Sequence, residues 1–361
     1  MVKILAVSFS SSHEEWCLRS DPGVVEREYI FKKRECRKPY NKPLFDLVRN
    51  SNPEVFIFAT QNEAKSSDLH ANVAAGLETL GYKLFKQRVT KRNVLSRISV
   101  ATSIFIPIAN PPMIKLISAE KYNIFDDNFE FFDDSVGGRV AVSQGISFTI
   151  TEDNEEFDYL LVNTYLPPPL NRSGMYSTSG SYALYRHETI AANARFLERV
   201  KNEILSSPTT KRDLIFLGDF DTEARADTKV RGYDSSIDEM VILKDLILSD
   251  LNLKEGDISF PPTSMYKVKS KVCIPGTDSS CYVASDSTYE DTPGRLPGWR
   301  DRILFSAGIR ELEYNTLLDR DSLSTEHLPV YALLDVSKMK YQPSATPRSP
   351  VRKRRGGGGR F

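Results

Sequence analysis

Several apolar runs of this 361-residue chain end in groups able to hold a cation, move a proton or bind an anion. In Leu214-Ile215-Phe216-Leu217-Gly218-Asp219-Phe220-Asp221 two acids stand on alternate residues after the run. Side chains two apart on an extended chain share a face, so Asp219 and Asp221 leave the strand together, placed to bind a divalent cation or orient a water. Gly218 permits close backbone approach there. Taken alone, the same residues also describe a buried strand followed by an acidic turn. Pro53 to Glu63 is another apolar run ending in an acid, and Leu161 to Pro167 ends in the phenol of Tyr165. Arg295 to Phe305 delivers Asp301, between Arg300 and Arg302, at the start of a run, and Ser324 to Val330 places Glu326 and His327 before the last one. Polar groups set repeatedly at strand ends point to one shared site.

The elements that must carry these groups are legible from periodicity. Val2–Val7, Val55–Phe58, Ser103–Ile108, Val140–Val142, Phe148–Ile150, Tyr159–Asn163 and Leu214–Leu217 are short, apolar and β-branched, which predicts strands. Asp68–Leu80, His187–Leu205 and Ile237–Leu248 repeat apolar residues at three- and four-residue spacing, which predicts helices. Strands follow strands directly between residues 100 and 165, so the sheets are expected to be mixed and mainly antiparallel. Phe260 to Gly298 is rich in Pro, Gly, Ser, Thr and Tyr and reads as long functional loops.

At this point the series resembles the endonuclease/exonuclease/phosphatase superfamily, whose motifs run in the order Asn, Gln-Glu, Tyr or His, Gly-Asp-x-Asn, an Asp before a strand, and Ser-Asp-His. Two segments look like inositol-polyphosphate 5-phosphatases. Phe260-Pro261-Pro262-Thr263-Ser264-Met265-Tyr266-Lys267 is similar to their Phe-x-Pro-Thr-Tyr-Lys, and Arg295 to Leu304 is similar to their Arg-x-Pro-Ser/Ala-Trp-Cys-Asp-Arg-Ile-Leu. The resemblance implies an α+β fold, a four-layer α/β/β/α sandwich of two mixed, mainly antiparallel sheets, spanning residues 1–337. It also implies roles. Glu63, with Glu326 and the Ser10 position, would bind Mg2+; Asp219 would orient or deprotonate a water; and His327, held protonated by Asp301, would stabilise charge on a phosphate. Tyr165 matches the nuclease branch, and Lys267 and Arg302 fall in segments expected to touch substrate.

The sequence departs from that pattern at four positions: Ser10 stands for Asn, Asp221 for the second Asn, Glu326 for Asp, and Arg300 for Cys. Asp221 exchanges a neutral donor for an acid that either repels phosphate or serves a metal in place of the missing Asn. The remaining histidines, His13, His70 and His187, lack comparable context and read as ordinary surface or core residues, and Trp299 reads as a packing anchor.

Charge divides the chain. Residues 338–361 carry eight Lys or Arg and no acid, leaving 40 basic against 48 acidic residues in the body. Such a Pro, Ser, Arg and Gly tail cannot bury enough apolar surface to fold, and its charge suits an anionic membrane or nucleic acid. The acidic body lacks the broad basic face that duplex DNA demands. Early interruption by Ser10 to Glu15 argues against a signal peptide, and the spacing of Cys17, Cys36, Cys273 and Cys281 suits neither a zinc site nor a disulfide framework, so a cytoplasmic setting is expected. The expected substrate is a phosphoinositide or inositol phosphate. An apurinic/apyrimidinic-endonuclease-like nuclease and a non-catalytic member of the same fold are the alternatives.

Overall fold

Strand β1 (Lys3–Ser10) explains the unbroken apolar run at its head, since each of its faces is covered. Ile4 and Ala6 point into one core while Leu5, Val7 and Phe9 point into another, and a strand buried on both faces needs no polar alternation. The computed structural model describes residues 2–10, 42–63, 69–91, 98–116, 129–130, 140–166, 179–206, 212–223, 238–244, 249–264, 271–273, 281–283, 297–317 and 327–336. Lys267, Glu326 and the basic tail lie outside the described residues.

The chain continues through α1 (Lys42–Ser51), β2 (Val55–Glu63), α2 (Leu69–Thr79), β3 (Tyr82–Lys91), β4 (Ile98–Pro107), β5 (Met113–Leu116), β6 (Phe129–Glu130), β7 (Val140–Glu152), β8 (Glu155–Tyr165), α3 (Ser179–Ser206) and β9 (Asp213–Asp219). It ends with α4 (Glu239–Leu243), β10 (Leu253–Glu255), β11 (Lys271–Cys273), β12 (Cys281–Val283), β13 (Asp301–Ser306), β14 (Arg310–Thr316) and β15 (Val330–Asp335). One sheet has the order β14-β15-β1-β2-β4-β3 and the other β10-β13-β9-β8-β7-β5, with β6 pairing β7. Among the described residues only β1 with β2 and β8 with β9 pair in parallel. Those are the two pairs joined through a helix, α1 and α3, as parallel crossovers require.

Four layers follow from the three cores. Ile57, Ile104, Phe148, Leu161, Leu217 and Phe305 fill the space between the sheets. Leu44, Val48, Val73 and Leu77 of α1 and α2 cover the outer face of the first sheet. Phe196, Leu197, Val200 and Met240 of α3 and α4 cover the second. The helix–sheet–sheet–helix arrangement expected from the sequence is therefore present.

Toward one end the space between the sheets turns polar. Asn163 donates its amide to Thr60 O (3.2 Å), Ala101 O (3.0 Å) and Thr102 Oγ1 (3.1 Å), while its Oδ1 accepts from Gln61 Nε2 (2.7 Å). A buried amide with its donors satisfied across the gap fixes the relative height of the two sheets, because slippage would strand polar atoms away from water.

Candidate active site

Register brings the strand-end groups into a row. Val142 of β7 lies opposite Tyr165 of β8, Tyr165 opposite Asp219 of β9, and Asp219 opposite Asp301 of β13. Residues opposite one another on neighbouring strands share a face, so Tyr165, Asp219 and Asp301 all face the first sheet. Tyr165 closes one end of the row by packing on Val100 and Val142. Gly218 makes the neighbouring approach possible: its φ is 155°, and a Cβ there would lie 2.0 Å from Thr164 O.

Asp301 is the centre of the cluster and is fully buried. Its Oδ1 accepts from Ser10 N at 2.9 Å, and its Oδ2 accepts from Thr263 Oγ1 at 3.1 Å and meets His327 Nδ1 at 2.7 Å. Burial alone would lower His327, but the Asp301 carboxylate, by charge and hydrogen bond, and then Asp219 outweigh it, so its pKa is raised and the ring is held as imidazolium. Burial, above all, pushes Asp219 up to about 6; the Asp301 and Asp221 carboxylates add to this, while His327 and Arg300 oppose it. The pair thus offers an acid near its switching point beside a cation held in its charged form, which suits proton transfer and anion stabilisation.

Thr263 holds these pieces together. Its Oγ1 accepts from the backbone of Arg300 (3.1 Å) and Asp301 (3.2 Å), its N–H donates to Gly298 O, and its carbonyl accepts from Leu328 N at 2.7 Å. Ser264 and His327 form a β-bridge alongside. The segments of residues 260–264 and 297–301, distant in sequence from 327, are laced into one scaffold.

The two arginines that flank Asp301 in the chain face away from it, as alternation demands. Arg302 corrects the expectation that it touches substrate. It is buried, donates to Glu255 through Nε (2.5 Å) and Nη2 (2.7 Å), and pairs also with Asp238. With its donors committed inside the protein it is a strut beneath the sheet. Arg300 contacts Asp221 Oδ1 at 3.3 Å and Glu223 Oε1 at 2.9 Å. Asp221 is therefore drawn toward a guanidinium, although its N–H still donates to Asp219 Oδ1 at 3.1 Å.

Glu63 ends β2 beyond Asn62, whose φ of 53° turns the chain. Its buried carboxylate accepts from Thr60 Oγ1 at 2.8 Å and lies 3.6 Å from His70 Nε2. Burial lowers His70 to about 3, so the ring is neutral. Because the Thr60 proton goes to Glu63, Thr60 Oγ1 must accept from His70 Nε2–H at 2.8 Å, leaving Nδ1 to accept from Ser103 Oγ at 2.8 Å. His70, read from sequence as an ordinary residue, fixes the tautomer of a relay that orients Glu63. Nothing in its local sequence signals this. Glu223 and Asn163 were equally hidden, whereas Thr263 stands inside a recognisable segment.

Among the described residues no three His, Cys, Asp or Glu side chains gather at metal-binding spacing. The donor types nevertheless suit a hard cation: Glu63 offers a buried carboxylate, and the fully buried Ser10 Oγ has no hydrogen-bond partner among the described residues.

No protein-family model matches the sequence, and no curated protein does. Solved structures do. The Cimex nitrophorin ferrous NO complex is similar over 92% of this chain and 97% of that one, at TM-score 0.51 and 17% identity. The chain shares the fold of that nitrophorin, a four-layer sandwich of two mixed sheets. Also similar are the inositol polyphosphate 5-phosphatase domain of SPsynaptojanin in complex with inositol (1,4)-bisphosphate and calcium ion (TM-score 0.49, 13% identity, 92% and 83% covered) and an endonuclease/exonuclease/phosphatase from Bacteroides vulgatus (0.47, 11%, 93% and 100%). At these identities the likeness concerns the fold. A shared fold does not assign an activity, which has to be argued from the site. None of the helices among the described residues is long and apolar enough to cross a membrane.

Proposed function

We propose that the chain is a phosphoesterase that hydrolyses a phosphate monoester of an inositol lipid or a soluble inositol phosphate. The observation that carries this reading is the buried Asp301–His327 pair, at 2.7 Å, beside an Asp219 held near pH 6. Asp219 would take a proton from the attacking water as that water bonds to phosphorus and the bond from phosphorus to the ester oxygen breaks, the inositol oxygen leaving as a hydroxyl with a proton from solvent. His327, as imidazolium, would offer Nε2–H to a phosphoryl oxygen whose charge grows in the transition state, and Asp301 would keep the ring charged and correctly turned. Tyr165, at the end of the row, would border the leaving group. Glu63, Ser10 and Glu326 would hold magnesium, which supplies Lewis-acid polarisation of a phosphoryl oxygen when bound.

The inositol preference rests on the Phe260–Lys267 and Arg295–Leu304 segments, which resemble those of the 5-phosphatases; Lys267 would meet a second ring phosphate as a point charge. Release of inorganic phosphate from inositol lipids, soluble inositol phosphates and abasic DNA, with and without magnesium, tests the reading. Turnover of an inositol substrate is expected. Cleavage of abasic DNA alone would transfer the site to a nuclease, the reading Tyr165 favours, and a folded protein inert on all three would overturn hydrolysis. The basic tail is proposed to attach the body to an anionic surface: removal of residues 338–361 is expected to weaken vesicle or RNA binding in a salt-dependent way without lowering turnover of a soluble substrate.

A further inference from the structure

Asp221 and Arg300 each depart from the motif series that the sequence resembles, an acid in place of Asn and a guanidinium in place of Cys. The fold brings the two departures into contact. Arg300 Nη1 lies 3.3 Å from Asp221 Oδ1 and Nη2 lies 2.9 Å from Glu223 Oε1, with all three side chains no more than 4% exposed. Backbone geometry enforces the meeting. Phe220 N donates to Arg300 O at 2.8 Å, Thr222 Oγ1 donates to Trp299 O at 2.7 Å, and Gly298 comes so close that a Cβ would sit 2.0 Å from Thr222 O. Asp221 itself adopts a left-handed φ of 51°, where Asp is among the few residues tolerated.

We propose that Arg300 is a positioning residue that offsets the charge of Asp221 while bound to Glu223, so that the Asp221–Arg300 pair, and not Asp221 alone, occupies the place a neutral amide would take beside the phosphoryl group. The proposal rests on the phosphoesterase reading of the same site. A carboxylate can only accept hydrogen bonds, and one lying within a few ångströms of a phosphate dianion in a site shielded from water would repel it strongly. Arginine cannot lose its proton in a protein, so Arg300 is a permanent counter-charge, and its planar fork spans Asp221 and Glu223 together. The same pairing makes Asp221 a poor metal ligand, because a guanidinium beside it opposes a second cation. Neither open repulsion nor metal service, the two outcomes foreseen from sequence, then describes Asp221.

The test is a cycle of full-length variants, Arg300→Gln, Asp221→Asn, the double variant and Arg300→Lys, read by binding of inorganic phosphate and by KM and kcat for an inositol substrate. Arg300→Gln is expected to weaken phosphate binding and raise KM by roughly tenfold to a hundredfold, the scale of one poorly screened charge nearby, with kcat changed far less. Adding Asp221→Asn should recover most of that loss, and Arg300→Lys should stay within about threefold of wild type because it keeps the charge. A merely structural arginine would move stability without this split or this rescue. Should Arg300→Gln not fold, the double variant and Arg300→Lys carry the test: retained phosphate affinity supports the pairing, and a loss beyond about tenfold in either folded protein overturns it. Additive effects, an unchanged folded Arg300→Gln, or no phosphate binding by wild type also overturn it. If the binding cycle runs as stated while no ester is hydrolysed, the phosphoesterase reading fails and the pairing stands; hydrolysis with an additive cycle shows the reverse.

Discussion

Replacing Asp301 by Asn separates charge from shape at the centre of the site. The amide keeps one oxygen, which can go on accepting from Ser10 N, while its NH2 takes the place of the oxygen that accepted from Thr263 Oγ1 and met His327 Nδ1; the size is preserved, but the 2.7 Å contact to His327 loses its charge. A hydrogen bond to a charged group contributes about 1.5–3 kcal/mol, so losing it should lower the pKa of His327. Burial and Arg300, which lower it, would then be opposed by the Asp219 carboxylate without help from Asp301. The sign of the stability change follows. In the wild type the folded pKa of His327 lies above the unfolded one, so its stabilisation is full below about pH 6.5 and is lost as pH rises through the folded pKa. Asp301→Asn should therefore cost about 2 kcal/mol at pH 6 and less at pH 9, measured by urea unfolding, with turnover down about 10²-fold. NMR titration of the His327 ring protons supplies the direct check. An unchanged His327 titration, or a stability loss that does not vary with pH, would refute the reasoning.

Asp219→Asn tests a second group whose folded pKa, near 6, lies above the unfolded 3.8. Its contribution is full below pH 3.8 and lost as pH rises through 6, so the variant should lack up to about 3 kcal/mol of wild-type slope across that window and turn over at least about 10²-fold more slowly; equal slopes in parallel denaturation curves would contradict this. The acid limb of wild-type kcat/KM should likewise lie near pH 6. Gly218→Ala should destabilise the fold by about 3 kcal/mol or more, since its Cβ meets Thr164 O at 2.0 Å and backbone on β8 cannot yield cheaply; a melting temperature within a degree of wild type would show that β8 and β9 are not so tightly apposed. Arg302→Gln should cost about 3–5 kcal/mol by stranding Glu255 and Asp238, while the folded fraction keeps wild-type KM. A raised KM would return Arg302 to the substrate.

The apolar runs and their polar ends were readable because a strand covered on both faces leaves an unbroken signature, and because the strand-end groups stood in a recognisable order. Strand lengths were not. Val140–Val142 and Phe148–Ile150 are one strand, Val140–Glu152, whose middle passes through Ser143 and Gln144. Those residues look like a break in sequence, yet Ser143 pairs with Thr164 on the neighbouring strand and Gln144 with Thr90 across the sandwich. Strand β3, Tyr82–Lys91, escaped notice because an edge strand bearing Lys and Arg resembles a solvated segment. The helix expected over Ile237–Leu248 is described only as Glu239–Leu243, capped by the Asp238 side chain at Met240 N.

Sequence by itself determined the layered class, the polar strand ends and the identities of Asp219, Asp301 and His327, since these depend on local periodicity and on residue chemistry. Tertiary structure decided what each group faces. Two adjacent residues on a strand look alike in sequence, but alternation sends Asp301 inward to His327 and Arg302 outward to Glu255. Asp221 and Arg300 read as two separate irregularities until the chain brought them to 3.3 Å. Whether a buried charge is a reagent, a strut or a counter-ion is set by its partners across the fold, and those partners are fixed by strand register rather than by neighbours in the chain.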